Sequence, residues 1–409
     1  MGGKRNLAIS FLVLAVVIGG LIIYDRQEPA PDEEPVAEMI LEPEHWQDEH
    51  PAIYASYMRN SNEADDQIEF GGDQQIDYIE KYPDIKVLYE GFGFSKEYFS
   101  ARGHLHTLED VLAIERPKPG ASCLACKTAA YEGMYEEYGE ELFAMDFDEM
   151  GAEAEHPITC YSCHRNDPGE IHVTVPHAEE GFKKLDFEIA EGNRNCAQCH
   201  VNYYFEPETK AIVLPWEEGL TLEDIEKYSD EREIADWEHP RTGTPLLKIQ
   251  HPEYEMYRNS THDQLGMDCA SCHMPTVEDE EGEEYVSHWW TSPLKTTEES
   301  CLGCHGGEHS AESLEEWVNE LQQEVEDKQL EASSLLVELV EELATKIENE
   351  QLDEETIEEV RSIHRRSQLR WDFIFAENST GSHNFDLAHK HLDEAIELAK
   401  EGLEIMKGN

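Results

Sequence analysis

All ten cysteines of the chain fall into five Cys-x-x-Cys pairs, Cys123/Cys126, Cys160/Cys163, Cys196/Cys199, Cys269/Cys272 and Cys301/Cys304, and none is left over. Histidine follows four of them directly, at His164, His200, His273 and His305, whereas Lys127 follows the first. Two thiols three positions apart reach the two vinyl groups of one porphyrin, and the next side chain then swings onto the iron, which is why c-type haem attachment uses this spacing. Zinc ribbons pair such motifs without needing a histidine after each, and a redox disulfide would not recur five times. The sequence therefore predicts five covalent haems, with Lys127, His164, His200, His273 and His305 as proximal iron ligands.

Lys127 separates one haem from the rest. An amine binds iron only as the neutral base, so burial and the metal together must drive off its proton. The four histidine motifs each need a second imidazole, and 16 of the 20 histidines lie outside the motifs to supply one. A haem left without a sixth protein ligand keeps an open position for a small substrate, and the lysine haem is the natural candidate.

Haem also answers a shortage of apolar residues: hydrophobic residues make up 39% of the 409 and mean hydropathy is -0.64. Porphyrin faces serve as core around which a modest number of side chains pack. The 91 Asp and Glu against 31 Lys and Arg give a net charge of -60, which excludes nucleic-acid binding through phosphates. Disorder fails as an account, because 7 Trp, 17 Tyr and 13 Phe are spread among the acids. The acidic coat is what a protein needs in concentrated salt, where screening over a few ångströms removes self-repulsion. Folding and activity should therefore improve as salt is raised towards molar levels; a thermal midpoint equal in dilute buffer would overturn the halophilic reading.

At the N-terminus Lys4 and Arg5 precede an uncharged run, Leu7 to Tyr24, of bilayer-spanning length. With Ala30 followed by Pro31 and no lipobox cysteine, the run reads as an uncleaved anchor rather than a removed signal peptide. Positive residues ahead of it and acids behind place the bulk outside the cytoplasm, periplasmic or cell-surface. The expected organisation is a membrane anchor or uncleaved signal over 1–26, an acidic Pro-rich tether over 27–45, a pentahaem catalytic domain over 46–310 and a helical region over 311–409. Apolar residues recur at three- and four-residue steps from Leu314 to Ile347, from Ile357 to Trp371 and from Leu392 to Leu403. Strand-like alternation is scarce, with Ile171 to Val175 the best short candidate. The fold class is thus mainly α, a multihaem cytochrome c fold with little β structure and long C-terminal helices.

Six segments in order give the chain a specific likeness: Arg102-Gly103-His104, the CLACK motif ending at Lys127, CAQCHVNYYF from Cys196, KIQHPEYE from Lys248, RWDF from Arg370, and Ser-Thr-Gly-Ser-His ending at His383. From about Tyr89 to the C-terminus it resembles the pentahaem cytochrome c nitrite reductases, which reduce nitrite to ammonium with six electrons. The resemblance implies that Lys127 is the proximal ligand of the catalytic haem and that Arg116, Tyr203 and His251 line its distal side. These residue types suit nitrite reduction, since arginine supplies fixed charge to an anion, histidine delivers protons to a leaving oxygen, and tyrosine donates a hydrogen bond.

The same register implies His104, His262, His288 and His383 as distal ligands, with His106 and His177 the nearest competitors. The family holds calcium through a glutamate side chain, the carbonyls of a tyrosine and a lysine, and a glutamine. Tyr203, Lys248 and Gln250 match, but the glutamate position is Asn202, which weakens the expected calcium site. Also implied are a membrane quinol-oxidising multihaem cytochrome as donor and a homodimer through the C-terminal helices. A relay cytochrome, or a reductase of hydroxylamine, nitric oxide or sulfite, are the alternatives.

Overall fold

The computed structural model describes residues 38–61 and 74–408. The expected anchor over 1–26 and most of the tether lie outside them. No helix among the described residues is long and apolar enough to cross a membrane, and the chain from Ile40 onward forms one compact unit.

The haem-motif half is built from short turns. Helix α1 (Pro51–Met58) starts on a proline, whose missing N–H costs nothing at that position. Three of the five cysteine motifs occupy a single helical turn, at Tyr161–His164, Cys269–His273 and Leu302–His305, and the other two begin in 3-10 turns at Ala121–Leu124 and Cys196–Gln198. Residues three and four apart share a face of such a turn, so two thiols and the following imidazole point the same way. The backbone N–H groups of His164, His200 and His305 donate to the carbonyls of Cys160, Cys196 and Cys301 at 2.8–3.0 Å. Helix α2 (Leu222–Glu231) is capped by Thr221 and Asp224, and α3 (Glu253–Tyr257) follows the KIQH segment.

Three two-stranded antiparallel ribbons complete this half: Tyr204–Phe205 with Ile212–Val213, Trp237–Glu238 with Pro245–Leu246, and Thr276–Glu278 with Glu284–Val286. The stretch Ile171–Val175 is not a strand. His172 N–H donates to Cys163 O (2.8 Å) and Thr174 N–H to Gln198 Oε1 (3.0 Å), so loops between haem motifs take the bonds a partner strand would have made.

The C-terminal periodicity becomes three long helices: α4 (Ala311–Glu348), α5 (Glu354–Phe375) and α6 (Phe385–Gly408). Ser310 caps α4 and Asp353 caps α5, each side chain accepting a backbone N–H three residues on. No glycine or proline interrupts the 38 residues of α4, which runs about 57 Å. Leu336, Leu339, Leu369, Trp371, Leu392 and Ile396 pack from these helices into one apolar cluster with Ile85, Leu88, Tyr89, Trp237, Leu246 and Ile249. That shared core matters for the site, because it braces the segment leading into His251.

Candidate active site and haem centres

Four pairs of imidazoles face each other. Ring centres lie 6.2 Å apart for His164 and His288, 5.9 Å for His200 and His104, 6.2 Å for His273 and His383, and 6.3 Å for His305 and His262. A metal–nitrogen bond of about 2 Å plus roughly 1.1 Å to the ring centre, taken twice, gives about 6.2 Å for two imidazoles on one iron. Each motif histidine thus faces one of the four histidines expected as distal ligands, a pairing that motif spacing could not provide. His106 and His177 stand in none of these pairs: His106 lies 3.5 Å from Glu109, and His177 Nε2 meets Gln198 O at 3.0 Å.

In four of the eight histidines the opposite ring nitrogen is tied down, as metal-bound histidines require. His164 Nδ1 meets Glu170 O at 2.8 Å, His273 Nδ1 meets Thr291 O at 2.9 Å, and His288 Nδ1 meets Val286 O at 3.0 Å. His383 Nδ1 meets Glu377 Oε1. Burial, with neighbouring imidazoles, pushes His104 down to about 3 and His273 to about 4, so both are neutral and free to ligate. Gly381 turns the chain into His383 at φ +86, and a Cβ there would come within 3.0 Å of Val325.

The thiols, all free of disulfides, and the opposed imidazoles fit covalent haem. Nine of the ten cysteines are partly covered, and Cys304 is exposed. The reason is its surroundings. Its turn, Leu302–His305, is the last of the five and is followed by exposed Gly306, Gly307 and Glu308, and neither Gly303 nor Gly307 has any group packed over it. The fifth haem position therefore lies at the rim of the haem half, with its second thiol on the solvent side.

His251 also lies 6.3 Å from the His200 ring. It is excluded as that iron's ligand by side: His200 Nδ1 and His251 Nδ1 each stand 3.8 Å from one oxygen of the same carboxylate, Glu253. His251 therefore sits on the Nδ1 edge of His200, away from the nitrogen that faces His104. Burial alone would raise Glu253, but the two histidines hold its carboxyl well below the usual range, and Asn378 Nδ2 donates to it as well.

Arg116 and Tyr203 gather at the lysine motif. Burial lowers the Arg116 guanidinium, offset by the nearby Tyr98, Cys123, Glu97 and Tyr203. Its guanidinium stacks on Phe94 at 4.2 Å and donates to Glu97 O, while Glu97 Oε2 accepts the backbone N–H groups of Glu115 and Arg116. Burial holds the Tyr203 hydroxyl well above its ordinary value, so it is a donor at any physiological pH. Thr107 Oγ1 lies 2.9 Å from both Lys127 O and His104 O and so joins the lysine motif to its neighbour. Tyr98, whose surroundings include both Arg116 and Glu253, links this cluster to His251.

Behind the site, Lys248 and Asp372 form a fully buried ion pair at 2.8 Å. Asp372 also accepts from Ile249 N (2.8 Å) and Tyr89 Oη, and the ammonium lies over the rings of Tyr89, Phe94 and Tyr98. Asp372 and Glu253 both lie in segments that carry the family likeness, yet the sequence alone gave neither residue a part; Asp372 alone carried a signal, an acid between the aromatic residues Trp371 and Phe373.

The expected calcium does not fit this donor set. It holds no carboxylate, Asn202 Oδ1 already accepts Gln250 N–H at 3.1 Å, and the ammonium of Lys248 belongs to the same segment. A direct amide bond joins the two segments that a shared cation would have joined. Asn202 N–H and Trp216 Nε1–H donate in turn to Glu255 Oε1, at 3.0 and 2.8 Å.

Burial pushes Glu255 up to about 8. Its folded value lies above the unfolded one, so its contribution to stability is complete below about 4.5 and fades as pH rises through about 8. The thermal midpoint should fall between about pH 4.5 and 8 and level off above, and the fall should be shallower in Glu255→Gln, whose amide oxygen keeps both acceptor roles. Equal slopes in the two proteins would remove Glu255 from the pH response.

The sequence model described as cytochrome c552 matches residues 42–407. Cytochrome c-552 of Porphyromonas gingivalis is 32% identical over 356 residues, covering 81% of this chain and 70% of that one. Cytochrome c-552 of Bacteroides thetaiotaomicron is 32% identical over 381 residues, 88% of this chain and 75% of its own. Among solved structures, the cytochrome c nitrite reductase of Desulfovibrio desulfuricans, described with two calcium sites, superposes with a TM-score of 0.82 at 27% identity, over 92% of this chain and 88% of that one.

Proposed function

Because the chain belongs to the cytochrome c552 family, we propose that it is an ammonium-forming nitrite reductase working at a lysine-ligated haem. Family and fold make it a multihaem c-type cytochrome of the nitrite-reductase type. The observation that carries the finer reading is the division of labour among the ligands. Four motif histidines are each opposed by an imidazole, whereas Lys127 is accompanied by Arg116 and Tyr203.

In this reading Cys123, Cys126 and Lys127 hold the catalytic haem, and the other four motifs with His288, His104, His383 and His262 hold the haems that feed it. Haem held by Lys127 would supply the electrons and the iron at which a small anion is reduced. Arg116 binds the nitrite anion with its guanidinium, whose loss of solvent strengthens the pairing. A chain of charge -60 repels anions at long range, so this local cation is what admits one.

His251, with its Nδ1 3.8 Å from Glu253, delivers a proton to the departing oxygen, which leaves as water once it has taken up two. The Glu253 carboxylate, kept ionised by His200 and His251, places a fixed negative charge beside the imidazole. Tyr203 donates a hydrogen bond to the bound nitrogen species. Nitrite in all takes up six electrons and eight protons to give ammonium and two waters.

The proposal extends to an extracytoplasmic site, a quinol-oxidising multihaem cytochrome as donor, and a homodimer through α4 to α6, where Trp317 and Leu330 of α4 are exposed. The deciding experiment is nitrite consumption by the haem-loaded protein in high salt with a reduced low-potential dye. Six electrons and one ammonium per nitrite are expected. A protein carrying five haems without turnover would be a relay cytochrome, and faster turnover of hydroxylamine, nitric oxide or sulfite would reassign the substrate.

A further inference from the structure

Helices α2 and α6 bring together three side chains that the proposed chemistry does not use. His391 and Glu394 lie one turn apart on α6, and Glu223 sits in the first turn of α2. One ligand atom from each lies within 4.8 Å of the other two. His391 is only 1% exposed, its Nδ1 has no hydrogen-bond partner, and the nearest carboxylate oxygen, Glu394 Oε2, is 3.6 Å away. An orphaned nitrogen in that position costs free energy unless something binds it. The ring is fixed edge-on against Phe373 at 5.6 Å, and burial pushes the imidazole down to about 4, leaving it neutral.

Glu223 and His391 line a cleft of about 360 Å³, with Thr221, Glu255, Arg258 and Lys390 beside them, through which an ion can reach the triad. We propose that Glu223, His391 and Glu394 bind one divalent transition-metal ion of the zinc class, clamping α2 to α6. One imidazole with two carboxylates selects such an ion over calcium or magnesium, which prefer oxygen alone. Tetrahedral bonds of about 2 Å need ligand atoms about 3.4 Å apart, so the two glutamates close onto a fixed histidine. A fourth position faces the cleft and takes water.

Two cations compete with the ion. Lys390 Nζ holds Glu223 Oε1 at 2.6 Å and Arg370 Nε holds Glu394 Oε2 at 2.9 Å. The Lys390 pair is half-exposed and weakens in concentrated salt, whereas coordinate bonds do not. The ion displaces Lys390 and keeps the same two helices joined.

The test is equilibrium dialysis of haem-loaded protein against zinc chloride in molar potassium chloride, with zinc read by mass spectrometry. In that form thiolates and haem-facing imidazoles are engaged with haem. Wild type should bind one zinc per chain, His391→Gln should weaken it by more than about tenfold, and Lys390→Gln should tighten it. No saturable zinc in wild type, or unchanged affinity in His391→Gln, would overturn the site. Should His391→Gln lose its haems or its fold, the exposed Lys390→Gln decides: affinity equal to or weaker than wild type overturns it.

Discussion

Lys127→His should retain five haems and lose roughly two orders of magnitude in nitrite turnover, a rise in barrier of about 2.7 kcal/mol. Haem attachment survives because Cys123 and Cys126 are untouched and the new sequence is the same motif used four times elsewhere in the chain. Turnover falls because imidazole and amine differ as donors, and the axial ligand sets the electronics of the iron. Position matters as well as chemistry. The Lys127 carbonyl is held by Thr107 Oγ1 and its N–H by Leu124 O, so the backbone cannot slide to compensate for a shorter, planar side chain. The variant should therefore present a haem with imidazole in place of the amine, and of altered potential, in an otherwise intact protein. Haem content by pyridine haemochrome and ammonium yield per nitrite are the two measurements, and unchanged turnover would take lysine out of the mechanism.

The motifs that bind haem were readable because covalent attachment depends on residues three and four apart, a distance sequence displays directly. How deeply each motif sits was not: Cys301 and Cys304 read like the other pairs, and only the packing around their turn shows that Cys304 faces solvent. The partners across each iron were not pairable, because His262 and His305 are 43 residues apart and His164 and His288 are 124 apart, and only tertiary structure closes those intervals. The long C-terminal helices followed from apolar periodicity and from the absence of glycine and proline in α4. Glu253 and Glu255 could not be told from their surroundings: among 91 acids, composition offers no sign of which two are buried beside the site. The failure at Ile171–Val175 has a related cause. Alternating pattern was present, but the neighbouring haem loops captured the backbone donors before any strand could. Where a prosthetic group replaces part of the core, local pattern says less about backbone pairing than it does in a protein built from side chains alone.

Asp372→Asn should cost about 3–5 kcal/mol, the usual penalty for removing one partner of a buried ion pair. Ile249 N–H donates to one Asp372 oxygen, while Tyr89 Oη and Lys248 Nζ donate to the other, so asparagine keeps an acceptor for only one of the two sides and the loss combines charge with a broken hydrogen bond. What remains is the ammonium of Lys248, fully buried, with only the Ile249 carbonyl and three aromatic rings for company. Burial already lowers Lys248, and without the carboxylate the lysine would have to deprotonate or draw in water. Lys248→Met in the same background removes the stranded charge, so the double variant should recover most of the lost stability, a coupling that additive effects would not give. The consequence for catalysis travels three residues along the chain. Lys248 to Gln250 lead into His251, and the grip of Asp372 on Lys248 and Ile249 fixes where that imidazole stands. Denaturation midpoints of the single and double variants, read beside nitrite turnover, separate the two roles: recovery of stability without recovery of turnover would mean that the buried charge itself, and not only the bracing it provides, contributes to the field at the site.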